Sequence, residues 1–253
     1  MEWRDEGVIL AARRHGEGAA IVEVFTAEHG RHAGVVKGGA SHRMAPLLQP
    51  GGQVAVEWSA RLEEHIGTFR LDPVRSRAGD IMGDGAALAA LAAVTGLTLA
   101  ALPERAAHPA LYAATTALLD ALGRDRDWPA AYARWELALL GELGFGLDLS
   151  RCAVTGAGGD LAYVSPRTGR AVSRAGAGAW VDRLLPLPSF LLDDTPPHDG
   201  ATLADALALS GFFLERRLAP ALPRERLPAA RARAVAAILS RAVEPTVPFP
   251  PRS

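Results

Sequence analysis

The chain has 253 residues, 49% hydrophobic and 22% charged, with a formal net charge of −1. That length and composition fit one large or two modest globular domains with a real core, and they place any affinity for nucleic acid in a local basic patch rather than in the global charge. Cys152 is the only cysteine, which excludes an internal disulfide and a multi-cysteine zinc site.

No apolar run is long enough to span a bilayer, because Arg, Glu, Asp or Pro interrupts each candidate. The start, MEWRDEG, is acidic and lacks the basic-then-apolar layout of a secretory signal, so a cytoplasmic protein with no membrane partner is expected. Lys37 is the only lysine, leaving 27 − 1 = 26 arginines. With the abundance of alanine, that bias points to codon composition.

From Gly7 to about Arg75 the pattern is β. GVILAARR, AAIVEVFT, RHAGVVK, QVAVEWSA and HIGTFRL are short β-branched or alternating runs separated by the turn formers GEG, EHG, KGGASH and PG. Five strands without an intervening helical pattern predict a small barrel of the OB type over residues 1–78.

From Gly79 the period changes, and residues 79–246 are expected to form a helical domain. Asp84 is placed to cap an Ala/Leu-rich helix that Pro103 closes, and Pro109 opens a second with Leu111, Tyr112, Thr115, Leu118, Leu119 and Leu122 on one face. The strongest helical signal follows. Trp128, Tyr132, Trp135, Leu139, Leu140 and Leu143 recur at helical spacing, Asp127 is placed to cap, Pro129 suits the first turn, and Gly144 and Gly146 end it. This is the expected spine of the domain.

An irregular insertion is expected at about residues 147–200. Six glycines lie between Ala153 and Ala179, LAYV and RAVS flank SPRTG as a hairpin, and the Pro-punctuated stretch from Leu184 to Gly200 reads as an extended surface crossing. Helix returns with Thr202 and Asp205 as a box-like start and Leu203, Leu207, Leu214 and Leu218 as a stripe. A last helix runs from Pro228 to about Arg241, and residues 247–253 form a loose polyproline-like tail.

Catalytic signatures are absent: no GxxxxGK[ST] loop, no GxSxG elbow, no HExxH and no Rossmann fingerprint. The histidines of the β module (His15, His29, His32, His42, His65) have no spacing that converges on a metal and read as surface groups on turns and strand ends. Its cations are the candidate nucleic-acid contacts: Arg13 and Arg14 at the end of the first strand, Arg31, then Lys37, His42 and Arg43 on the loop after the third strand. In an up-and-down reading these share one rim. Ten Lys/Arg against eleven Asp/Glu lie between Met1 and Asp80, so a solvated polar face is an equal reading of the same residues. A second excess, 7 − 2 = +5, lies between Glu215 and Arg241. There Arg216, Arg217, Arg231 and Arg233 are candidates for holding an acidic peptide.

The order and wording of these pieces resemble the RecO family of bacterial recombinational DNA-repair proteins. The residues that carry the resemblance are MEWRDEGVIL, RRHGEGAAIVEVFT and HGRHAGVVKGG in the β module, and WELALLGELGFGLDLSRCAVTG with LAYVSPRTGRAVS beyond the spine helix. The resemblance implies an OB barrel followed by a helical domain with an inserted zinc-finger-like element. It also implies a non-enzymatic role: binding single-stranded DNA, annealing strands, and loading the recombinase with RecR past single-strand-binding protein, whose acidic tail would be a partner. The sequence departs from the family where some members carry two C-x-x-C pairs. Here the pairs read Cys152 with Thr155 and Ser173 with Gly176, so no zinc and no other cofactor is expected. The insertion must hold its shape by packing, turns and Trp180. The rival reading is a protein-interaction adaptor whose barrel binds peptide.

Overall fold

The computed structural model describes residues 1–62, 64–193, 195–197 and 199–243. Five strands come first: β1 (Glu2–His15), β2 (Ala19–Thr26), β3 (Gly30–Val36), β4 (Gln53–Ser59) and β5 (Thr68–Arg75). They pair in the order β1-β2-β3-β5-β4 and β4 returns to β1, so the sheet closes on itself. The up-and-down order is corrected by one feature: β3 meets β5 in parallel at Val35 and Thr68. The loop between Val36 and Gln53 causes this, because it carries the chain across the barrel end before β4 begins. β1 also starts five residues earlier than its apolar run, with Glu2–Glu6 paired to Ser59–Ala55. Four of those five side chains are polar, which hid the strand from pattern reading.

The barrel interior is closed by Ile9, Val22, Val24, Val54, Val56 and Leu71. At one end Trp3 stacks on His29 with centroids 4.0 Å apart, and His32 lies edge-on to Trp58 at 4.9 Å. His32 is 4% exposed, and neither ring nitrogen has a hydrogen-bond partner among the described residues. The expectation of surface histidines therefore fails at His32, which alternates inward on β3 with Gly34 and Val36.

The helices are α1 (Arg77–Asp80), α2 (Gly85–Ala101), α3 (Pro109–Ala121), α4 (Trp128–Glu142), α5 (Arg174–Ala177), α6 (Gly200–Phe213) and α7 (Ala229–Val243). Asp84 caps α2 by accepting from the Ala87 N–H at 3.0 Å. Asp127 does not cap α4 through its side chain. Its carbonyl accepts from Ala130 and Ala131 instead, while its own N–H is taken by the Asp125 carboxylate at 2.9 Å. The other end of α4 stops as predicted: Gly144 has φ 80°, and Phe145 N–H reaches back to the Leu140 carbonyl at 2.8 Å. At α6 the cap is Asp199, whose carboxylate accepts from both the N–H and the hydroxyl of Thr202 at 2.7 Å. Thr202 therefore lies inside the helix that it was expected to start. A π turn over Leu214–Leu218 prolongs α6 and keeps Leu214 and Leu218 on the buried side.

The insertion forms a three-stranded sheet of β6 (Leu161–Val164), β7 (Ala171–Ser173) and β8 (Leu185–Pro186), with β6 in the middle. The segment after Leu184 is no mere surface crossing. It supplies β8 and buries Leu187 and Phe190 at 5% and 1% exposure. Arg134 of α4 holds it by donating to the carbonyls of Phe190, Asp193 and Thr195. Residues 244–246 of the expected helical domain, the tail at 247–253 and His198 lie outside the described residues.

Barrel and helices share one core. Val8, Leu10 and Phe25 point out of the barrel and join Leu91, Leu97, Leu111 and Trp128. Buried Arg77 ties them with polar bonds to Asp120 (2.6 Å), Gln53 (2.9 Å) and the Gly51 carbonyl (3.1 Å). At Gly30, with φ 64°, an added Cβ would stand 1.8 Å from the Ala106 carbonyl oxygen. Only glycine admits that approach.

Glu136 on α4 is fully buried and accepts from Arg231 of α7 at 2.8 and 3.0 Å and from Ser210 of α6 at 2.6 Å. Arg231→Met leaves that carboxylate buried without its cation and is expected to cost about 3–5 kcal/mol. The double replacement with Glu136→Leu should recover most of the loss, as read from urea denaturation midpoints.

His32 generates a pH prediction. Burial, then Arg105 and His29, pushes its pKa down from 6.5 to about 4. The folded chain therefore holds His32 neutral while the unfolded chain protonates it, so its contribution is full above about pH 6.5 and is lost as pH falls toward 4. His32→Phe fills the same aromatic box without orphan nitrogens, and should raise Tm and flatten its decline between those pH values.

Candidate nucleic-acid interface

The barrel's basic rim is built by two segments that the fold brings together. β1 and β2 extend as a hairpin in which Arg14 faces Ala20, and Ala20 faces Val36 of β3. Arg13 faces Ile21, Val35 and finally Thr68 in the next row. Successive residues of a strand project to opposite faces. Arg14 thus stands on the side of the interior residues Ala20 and Val36, and Arg13 on the other. A strand of nucleic acid can meet both only by passing around the hairpin tip.

The loop after β3 returns to that tip, where Ala40 N–H donates to the Gly18 carbonyl at 3.4 Å. The loop is fastened by Leu48, 4% exposed, and Met44, which pack into the barrel interior. Consecutive turns at Gly38, Ser41 and Met44 leave Lys37, His42 and Arg43 on the exposed side. Arg13, Arg14, Lys37, His42 and Arg43 are all exposed, and none makes an ion pair with a described residue. Their charge is free to meet phosphate.

Arg31 is placed differently. Its guanidinium bonds Glu23 at 3.0 Å and the Leu102 carbonyl at 2.9 Å, with Glu104 at 3.4 Å. It joins the barrel to the end of α2 and is removed from the exposed set. Sequence reading missed Arg61 and His65, exposed on the turn between β4 and β5. There a shallow cavity of about 440 Å³ is lined by Ser59, Ala60, Arg61, His65, Ile66, Gly67 and Thr68. Val35 N–H bonds Gly67 O at 3.1 Å, so this turn abuts β3 near Lys37. The signal was available: in OB-type barrels the β1–β2 and β4–β5 loops flank the bound strand.

The carboxy-terminal arginines divide likewise. Arg216 and Arg233 are exposed, and Arg216 lies 5.7 Å over the Phe212 ring. Arg217 is half-buried, 4.7 Å over Phe213, and donates to the Phe145 carbonyl at 3.1 Å. Arg231 is spent inside on Glu136. It is corrected from a surface contact to a core residue, because the helical stripe that buries Ala234 and Ile238 also turns position 231 inward.

In the insertion, Cys152 is 1% exposed, and its sulfur accepts from the Ser173 N–H at 3.2 Å, the Ser173 hydroxyl at 3.3 Å and the Thr155 N–H at 3.4 Å. The hydroxyl and then the amide of Ser173, followed by Thr155, bring the thiol down to about 6. Ser173 Oγ in turn accepts from Gly176 N–H at 3.1 Å. The two turns that would carry paired thiolates thus keep their shape around one sulfur and one hydroxyl. These donors do not fit zinc: Thr, Ser and Gly stand where three soft ligands are needed. Among the described residues no group of three His, Cys, Asp or Glu side chains converges. Trp180, expected to help hold the insertion, is 60% exposed. No described helix is long and apolar enough to cross a membrane.

Residues 1–77 match the family described as "Recombination protein O N terminal", and residues 82–226 match "Recombination protein O C terminal". Among curated proteins, the "DNA repair protein RecO" of Ruegeria sp. (strain TM1040) is 56% identical over 241 residues, 95% of this chain and 100% of that one. The protein of the same name from Dinoroseobacter shibae is 55% identical over 242 residues, 96% and 99% of the two chains. That of Roseobacter denitrificans is 57% identical over 235 residues, 93% and 97%.

Proposed function

The chain belongs to the RecO family, and from that premise we propose that it binds single-stranded DNA on the barrel rim and promotes annealing of complementary strands. The observation that carries this reading is the convergence of the β1–β2 tip with the loop after β3, joined by the Ala40–Gly18 hydrogen bond, which gathers Arg14, Lys37, His42 and Arg43 with no ion pair to a described residue. We read the barrel as OB-type, with Arg61 and His65 on the second flanking loop. Annealing requires no bond-making group. Cations screen the phosphates of two strands while the bases remain available for pairing. On this reading the protein acts at the nucleoid without catalysis and loads the recombinase with RecR. An acidic tail of single-strand-binding protein would meet Arg216, Arg217 and Arg233 on the helical side.

Reversing Arg14, Lys37 and Arg43 to Glu together is expected to weaken binding of a labelled single-stranded oligonucleotide while thermal melting stays at the wild-type value. Each lost phosphate contact should flatten the slope of log affinity against log salt by roughly 0.7. Wild-type affinity in this folded variant moves the site off the rim. Salt-independent binding by the wild type favours the peptide-binding adaptor instead.

The insertion is expected to fold without metal. Elemental analysis of the purified chain should show no stoichiometric zinc, and a chelator should leave its melting curve unchanged.

A further inference from the structure

Trp180 is the one exposed residue among the Phe, Trp and Tyr side chains of the described residues. The other tryptophans are occupied: Trp58, Trp128 and Trp135 are at most 3% exposed, and half-buried Trp3 is stacked on His29. The barrel turns its Trp and Phe rings inward and offers a base only the small imidazoles of His15, His42 and His65 beside its cations. The insertion offers an indole beside its cations. Trp180 sits on the 3₁₀ segment Gly178–Arg183, every residue of which is exposed, and the Arg183 guanidinium lies 4.9 Å from the indole centroid.

The segment is fixed rather than trailing. Just before it, α5 is held against the Cys152 turn by the Ser173 bonds, and an added Cβ on Gly176 would stand 2.8 Å from the Cys152 sulfur. Arg151, the neighbour of Cys152 in the chain, is exposed and makes no ion pair with a described residue. Between Ser150 and Leu184 there are five arginines against Asp160 and Asp182, a local 5 − 2 = +3 in a chain of net −1. Arg170 and Arg174 are partly offset by Asp148 and Asp160 at 3.3 Å, whereas Arg151 and Arg183 make no ion pair with a described residue.

We propose that Trp180, with Arg183 and Arg151, forms a second single-stranded DNA contact in which a nucleobase stacks on the indole and the two guanidiniums take the flanking phosphates. An exposed apolar ring alone would suit a protein partner equally well. An arginine laid against the indole amid a positive excess suits a polyanion made of flat rings. This contact rests on the reading that the chain binds single-stranded DNA, and it extends the path of that strand from the barrel to the insertion.

The test uses the full chain, labelled oligo(dT) and acrylamide quenching of tryptophan emission. Because the other tryptophans are buried or stacked, quenching reports chiefly on Trp180. Oligo(dT) is expected to shield it. Trp180→Ala should lower affinity about tenfold, in the range of one lost stacked base, with the salt slope unchanged. Arg183→Ala should instead flatten the slope by about 0.7. Since all three side chains are exposed, the melting curves should match wild type. Wild-type affinity in Trp180→Ala, or no shielding on DNA binding, overturns this contact and leaves the rim reading standing. No binding by the wild-type chain overturns both. Shielding by an acidic peptide but not by oligo(dT) overturns it in favour of a protein contact.

Discussion

The carboxylate of Glu136, buried where α4, α6 and α7 meet, constrains everything on the helical side. A charge in an apolar interior is tolerated only when its lone pairs are answered, and here Arg231 answers two and Ser210 a third. Arg231 also reaches the Leu207 carbonyl at 3.0 Å, so the cation bridges α4 to α6 as well as anchoring α7. Helices of Ala and Leu could slide against one another at little cost. A directional buried pair fixes their register, and α7 is thereby pressed onto α2, which in turn packs on β1.

The barrel is coupled to that assembly by a second set of polar bonds, centred on Arg77, Arg31 and Tyr112. The Tyr112 hydroxyl donates to the Glu6 carbonyl at 3.2 Å and accepts from Gln53 at 2.9 Å. These arginines were recruited for geometry: a guanidinium can satisfy several carbonyls and carboxylates at once. The cations on the rim are those left over from this work, exposed and without ion pairs to described residues. A rim held by Leu48 and Met44 in the core presents its charges on a rigid support.

Much of this was legible in the residues. The five strands, the α2 cap at Asp84, the buried face of α4 and its stop at Gly144 follow from period and turn chemistry that tertiary contacts did not override. The failures share a cause. Asp127, Thr202 and Asp199 all have side chains suited to capping, and which one caps depends on where neighbouring N–H groups are already spent. His32 and Arg231 are polar residues in stripes that face inward, and composition gives no sign that an aromatic box or a buried carboxylate waits there. Arg31 looked like Arg13 in sequence, yet only the end of α2 distinguishes them. Arg61 and His65 went unnoticed because a flanking loop is defined by barrel topology, not by local pattern.

The hydrogen bond from Ser173 to the Cys152 sulfur also determines how independent the insertion is. A structural zinc contributes on the order of 10 kcal/mol or more to a small module, enough to fold it alone. A hydroxyl-to-sulfur bond contributes about 1 kcal/mol. The deficit is met from outside, by Phe190 and Leu187 sunk into the helical core and by Arg134 gripping the carbonyls beyond them. The insertion is thus a graft living on its host rather than a portable finger. Cut away from α4, it would have no reason to keep a shape, and its order rises and falls with that of the helices beneath it.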